Sequence, residues 1–228
     1  LTAEVTRAYY QHPWNPFSYT STGRTIAANA ELFERITRRF GKPAFLLEKT
    51  KIGNKEIKVT EKTVYCMPFC NLVHFSRATS RKDPKVLIVA PMSGHFATLL
   101  RGTVEALLPH HDVYITDWKD ARQVPPRHGQ FSFDTYIQYL RDFLHLLGPK
   151  THIIAVCQPA VPVYATVALM EEANDPDTPL SMTLMGGPID TRVSKTAVTQ
   201  LAERRPLSWF ERNVITRVPF YYPGAGRK

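Results

Sequence analysis

The chain has 228 residues, 43% of them hydrophobic and 21% charged, the composition of an ordinary globular protein with room for a sizeable core. No apolar run approaches the roughly 18 residues of a membrane span, residues 1–10 lack the apolar stretch of a signal peptide, and three cysteines cannot build a disulfide framework, so a reducing, cytoplasmic setting is expected. The net charge of +9 is scattered over Arg38-Arg39, Arg81-Lys82, Lys119 with Arg122, and Arg204-Arg205. With no single basic helix or stripe, it implies a solvated basic surface and no nucleic-acid partner.

Residues 1–43 read as a helical extension with an aromatic cluster, Tyr9, Tyr10, Trp14, Phe17 and Tyr19, broken by Pro13 and Pro16. Leu32, Ile36 and Phe40 at four-residue spacing predict a helix over 27–40, ended by Gly41. Residues 44–60 read as a hairpin turning at Gly53-Asn54, and 64–75 as β-rich material able to pair with it. From residue 85 the pattern alternates. A short apolar run at 85–90 predicts a strand buried on both faces, 95–108 a helix presenting Phe96, Leu100, Val104, Leu107 and Leu108, and 112–118 the next strand. Phe133, Tyr136, Ile137, Leu140, Phe143, Leu144 and Leu147 predict a helix over 133–147, capped by Ser132 and stopped by Gly148-Pro149. Strand 151–156, an apolar helix over 159–173, strand 181–185 and a helical stretch over 194–214 complete the series. Alternation of this kind means βαβ units and a mostly parallel sheet.

The sharpest chemical feature is Thr151-His-Ile-Ile-Ala-Val-Cys157-Gln-Pro-Ala160, where a strand runs directly into a helix with a cysteine at the joint. Open α/β sheets place their chemistry at that edge, and the helix N-terminus offers free N–H groups and a partial positive charge. Cys157 is therefore the candidate nucleophile and the Gln158 N–H the first oxyanion donor. The flanks Ala155 and Pro159 depart from the usual G-x-S-x-G elbow. The loop Val89-Ala-Pro-Met-Ser-Gly-His95 follows the first parallel strand, so Met92 or Ser93 is expected to supply the second oxyanion N–H. Asp117 and Trp118 close a strand at the same edge, either touching substrate or, for Asp117, capping the next loop. Asp190 follows the last strand as a weaker candidate acid, the alternative being a helix cap for residue 191 onward. Cys66, Cys70 and His74 recur every four residues, but on a strand such positions lie roughly 13 Å apart, too far to share one ion. No metal is expected. Without a glycine-rich phosphate loop, no nucleotide cofactor is expected either.

The segments Tyr9-Tyr-Gln-His-Pro-Trp-Asn-Pro-Phe17, Ala90-Pro-Met-Ser-Gly-His95, Tyr114-Ile-Thr-Asp-Trp-Lys-Asp-Ala-Arg122, Val156-Cys-Gln-Pro159 and Met185-Gly-Gly-Pro-Ile-Asp190 resemble the intracellular polyhydroxyalkanoate (PHB) depolymerases. The resemblance implies an α/β-hydrolase fold with helices on both faces of the sheet, spanning residues 44–228, with 191–228 leading into a helical cap. It implies a cysteine nucleophile, no cofactor, and poly(3-hydroxybutyrate) at the granule surface as substrate and partner. It also implies an Asp and a His from later strands, beyond Lys228, so the chain reads as a fragment. Two other readings share the elbow: an acyltransferase like the PHA synthases, and a catalytically incomplete fragment that binds granules.

Overall fold

A computed structural model of the chain describes residues 2–37, 41–92, 96–193 and 195–227. It divides into two compact units, residues 1–42 and 43–228.

In the first unit, α1 (Thr2–Gln11) packs against α2 (Ser21–Thr37), and the Arg7–Glu34 ion pair at 2.8 Å ties them. A 3-10 turn at Pro16–Tyr19 joins them, with the Asn15 side chain accepting from the Phe17 N–H at 3.1 Å. The helix α2 starts six residues before the apolar periodicity does. Gly23, a poor helix former, sits in its first turn because a Cβ there would overlap the Phe17 carbonyl. Residues 38–40, the end of the predicted helix, lie outside the described residues.

The second unit is built on a seven-stranded sheet: β1 (Lys49–Ile52), β2 (Lys55–Cys66), β3 (Cys70–Arg77), β4 (Lys85–Val89), β5 (Asp112–Trp118), β6 (Thr151–Val156) and β7 (Ser181–Met185), in the order β1-β2-β3-β5-β4-β6-β7. The first three strands and the β3–β5 pairing are antiparallel, whereas β5, β4, β6 and β7 run parallel. Gly53, at φ +60°, makes the predicted hairpin turn between β1 and β2. The β-rich stretch 64–75 is two strands rather than one. The chain turns around Pro68, and the Met67 N–H closes the turn on the Cys70 carbonyl at 2.9 Å.

The strand alternation sorts the core. Leu72, Leu87, Val89, Ile153 and Ala155 face one side, where they meet α4 (Phe133–Leu147) and α5 (Ala160–Glu172). Val73, Phe75, Val86, Ile88 and Ile115 face the other, under Phe45 and α3 (Arg101–Leu107). The predicted helix over 95–108 is a 3-10 turn, Ala97–Leu100, followed by α3, because Leu100 leaves the helical region at φ −94°, ψ 20°. Ser132 caps α4 by accepting from the Thr135 N–H, and Gly148 stops it at φ 75°. Past β7, the helical stretch divides at Pro206 into α6 (Ala197–Arg204) and α7 (Leu207–Asn213). An antiparallel lead-in, a parallel sheet covered by helices on both faces and an elbow after β6 together make this an α/β-hydrolase-type fold. No helix among the described residues is long and apolar enough to cross a membrane.

Phe143 is fully buried between α4 and the sheet. Phe143→Ala is expected to cost about 3–5 kcal/mol of stability, measured by denaturant unfolding followed by circular dichroism.

Candidate active site

At the end of β6 the backbone turns sharply. Cys157 adopts φ +67°, the left-handed region, before Gln158 and Pro159 lead into α5. For a residue with a Cβ this costs about 1–2 kcal/mol, and the surroundings hold it in place. The Cys157 N–H donates to the Met185 carbonyl at the end of β7 at 2.7 Å, and the Cys157 carbonyl accepts from the Ala160 N–H at 3.1 Å. Gly187 lies against the turn. A Cβ there would overlap the Ala160 Cβ and sit 2.9 Å from the Cys157 carbonyl oxygen. The Cys157 side chain is exposed. The Gln158 N–H has no acceptor among the described residues, and the Gln158 Oε1 is buried without a hydrogen bond.

The next loop along the edge is pinned at its start. The Ala90 N–H donates to the Thr116 hydroxyl at 2.9 Å, and the Ala90 carbonyl accepts from the Trp118 indole N–H at 2.9 Å. Both side chains come from β5, so one strand fixes both polar groups of the residue that opens the loop. Of the two residues expected to offer an oxyanion N–H there, Met92 is partly exposed, while Ser93 lies outside the described residues, as does His95. Trp118 is nearly buried. Its ring lines a cleft of about 310 Å³ together with Phe69, Met92, Phe96 and Phe131, and Lys119, Asp120 and Arg122 stand at the polar rim. Cys157 does not line this cleft. It follows β6, two strands from β5, a lateral distance of about 10 Å.

Asp117 does not line the cleft either. The carboxylate that caps the following loop is that of Asp120, which accepts from the Arg122 N–H at 2.9 Å. Asp117 lies beside Cys70, whose thiol is pushed well up first by burial and then by the Asp117 charge. Cys70 is thus a buried, protonated core residue, unlike the exposed Cys157. Asp190 sits in an exposed turn, accepting from the Arg192 N–H at 3.0 Å and from its guanidinium at 2.8 and 2.9 Å. The Arg192 hydrogen bond holds its carboxyl below the usual carboxylate range. The expected helix cap is not what Asp190 makes: it closes a turn, and α6 starts only at Ala197, capped by Thr196. Among the described residues no histidine hydrogen-bonds to Cys157. His74 pairs with Asp112, His145 with Asp175 and His152 with Ser181, each at 2.7 Å. Thr116 and Gly187 carry no mark of these roles in the sequence, although both stand in segments with distinctive motifs.

Cys157→Gly is expected to leave the fold about 1 kcal/mol more stable than Cys157→Ala, since glycine accepts the left-handed turn without strain. Gly187→Ala is expected to cost about 1–3 kcal/mol through overpacking at the elbow. Thermal unfolding of the three variants checks both.

The family described as PHB de-polymerase C-terminus matches residues 186–228. No curated protein sequence matches the chain. Among solved structures, brefeldin A esterase, a bacterial homologue of human hormone-sensitive lipase, is 10% identical over 88% of this chain and 53% of its own, with a TM-score of 0.45. Naproxen esterase (carboxylesterase NP) from Bacillus subtilis is 14% identical over 55% of this chain and 42% of its own, with a TM-score of 0.42. An esterase/lipase from an uncultured bacterium is 14% identical over 90% of this chain and 64% of its own, with a TM-score of 0.44. The chain spans about half the length of the first two. The strand order and the elbow, not these distant likenesses, carry the fold assignment. On an α/β-hydrolase-type sheet, then, residues 186–228 are similar to the family described as PHB de-polymerase C-terminus, the match beginning at the glycine pair that abuts the elbow.

Proposed function

We propose that the protein hydrolyses ester bonds of short-chain polyhydroxyalkanoate, poly(3-hydroxybutyrate) above all, through Cys157. The observation that carries the reading is the elbow: an exposed cysteine held at φ +67° ahead of a helix, beside a Gln158 N–H without an acceptor. In the reaction, the Cys157 sulfur attacks the ester carbonyl. Negative charge gathers on the carbonyl oxygen, where the Gln158 N–H and an N–H of the Met92–Ser93 loop stabilise it. The tetrahedral adduct collapses to a thioester as the alcohol end of the polymer leaves with a proton. Water then attacks the thioester and releases 3-hydroxybutyrate or a short oligomer, freeing the thiol. The reaction also needs a histidine that moves the proton and an aspartate that orients it.

The cleft, two strands along the same sheet edge from the elbow, has a lining suited to a polyester. Phe69, Trp118 and Phe131 give an apolar wall for the methyl-bearing backbone, and Lys119 at the rim suits a chain-end carboxylate. The segment match at residues 186–228 points to the same substrate class. In the first unit Tyr9, Trp14, Phe17 and Tyr19 are all more than half exposed, an aromatic surface suited to an amorphous polymer granule in the cytoplasm.

The test has two arms. A p-nitrophenyl ester of 3-hydroxybutyrate is expected to acylate the Cys157 peptide, seen as a mass increase that Cys157→Ala abolishes. Release of 3-hydroxybutyrate from native amorphous granules is measured with this chain and with the longest open reading frame that contains it. Activity that survives Cys157→Ala refutes the assignment of the nucleophile, and an acylated but granule-inactive long form refutes the depolymerase reading.

A further inference from the structure

The segment after α7 closes on itself and grips the wall of the cleft. The Val218 N–H donates to the Arg227 carbonyl at 2.7 Å and the Gly226 N–H to the Val218 carbonyl at 3.0 Å, making a compact loop. One side of that loop lies on residues 121–129, which connect β5 to α4. The Arg227 guanidinium spends its donors on a single stretch of backbone: Nε on the Val124 carbonyl at 2.9 Å, Nη2 on the Pro125 carbonyl at 2.7 Å and Nη1 on the Gly129 carbonyl. Its plane sits over the Phe69 ring, 5.2 Å from the centroid. Gly224 donates its N–H to the Arg122 carbonyl at 2.8 Å, so close that a Cβ would sit 2.8–2.9 Å from the carbonyl oxygens of Ala121, Arg122 and Val124. Phe69, Ala121 and Arg122 line the cleft.

A short connection with few hydrogen bonds to the rest of the fold is free to move. A guanidinium that collects three of its carbonyls fixes its path, because the planar fork orders the donors before they bind. None of the atoms involved approaches Cys157 through a hydrogen bond, so the device acts on the cleft and not on the nucleophile. We propose that Arg227 is a positioning residue, which with Gly224 holds residues 121–129 and Phe69 in the shape that receives the hydroxyacyl chain of the ester. The claim about the ligand rests on the polyester reading above; the claim about the clamp stands on the geometry alone.

Two measurements on the 228-residue chain separate them. The first is amide hydrogen exchange without ligand. In Arg227→Ala, the amides of Gln123, Val124, His128 and Gly129, each hydrogen-bonded within the connection, are expected to exchange about tenfold faster. Arg227→Lys restores part of the protection, and the amides of α4 keep theirs. The second is titration with the free acid of a 3-hydroxybutyrate trimer, followed by the Trp118 indole resonance. The affinity of Arg227→Ala is expected to fall about tenfold, while iodoacetamide alkylates Cys157 at the parent rate. Gly224→Ala, which displaces the same contact from another residue, is expected to reproduce both effects. Unchanged exchange overturns the clamp. Faster exchange with unchanged trimer affinity overturns its role in recognition. A parent chain that does not bind the trimer removes the polyester reading and the recognition claim with it, leaving exchange to decide the clamp. Loss of α4 protection in both Arg227 variants makes Arg227 a general stabiliser and overturns the proposal.

Discussion

Cys157 holds a positive φ because three neighbours leave it little else to do: Met185 accepts its N–H, Ala160 donates to its carbonyl, and position 187 carries no side chain. The strain is local, about 1–2 kcal/mol, but the parts that absorb it come from across the sheet. The end of β7 supplies the acceptor, the start of α5 the donor, and the glycine pair after β7 the space. The order β4-β6-β7 is what brings them together. The glycine that begins the family-matched segment at residue 186 is itself left-handed, at φ +62°, so two consecutive strand ends turn with unusual backbone side by side.

A second constraint runs the other way along the edge. Thr116 and Trp118 of β5 hold both polar groups of Ala90, so the loop proposed to offer the second oxyanion donor begins from a fixed point. Trp118 thereby does two things at once: its N–H steadies the loop, and its ring forms the wall of the cleft. Asp117, one residue earlier, pairs in register with Asn71 and so projects to the opposite face of the sheet from Trp118 and Cys70.

The elements that were legible in the sequence are those whose periodicity is set by burial. The strands at 112–118, 151–156 and 181–185 and the helix at 133–147 fall where the apolar pattern puts them, since each must bury a face or a stripe against the sheet. The joint at Cys157 was legible for the same reason, as a strand pattern with no room for a loop before the helix pattern. The failures have physical causes of another kind. Gly23 hides the start of α2 because close approach to the Phe17 carbonyl outweighs helix propensity. Pro68 divides a stretch that reads as continuous strand, and Leu100 interrupts a helix whose apolar face continues through it. The clamp by Arg227 left no trace at all. Its contacts are between a side chain and backbone carbonyls about a hundred residues away, at separations of 98 to 103, and carbonyls have no sequence signature.

The far side of the sheet has its own consequence. Among the described residues β7 pairs with β6 alone. Its outer margin presents backbone donors and acceptors in a row, flanked by Leu180 and Met185, both about half exposed or more. An unpaired, uncharged, apolar margin is a template for strand addition between molecules. The same strand that braces Cys157 from one side is therefore, from the other, an open edge on which copies of this polypeptide can add strand to strand at high concentration.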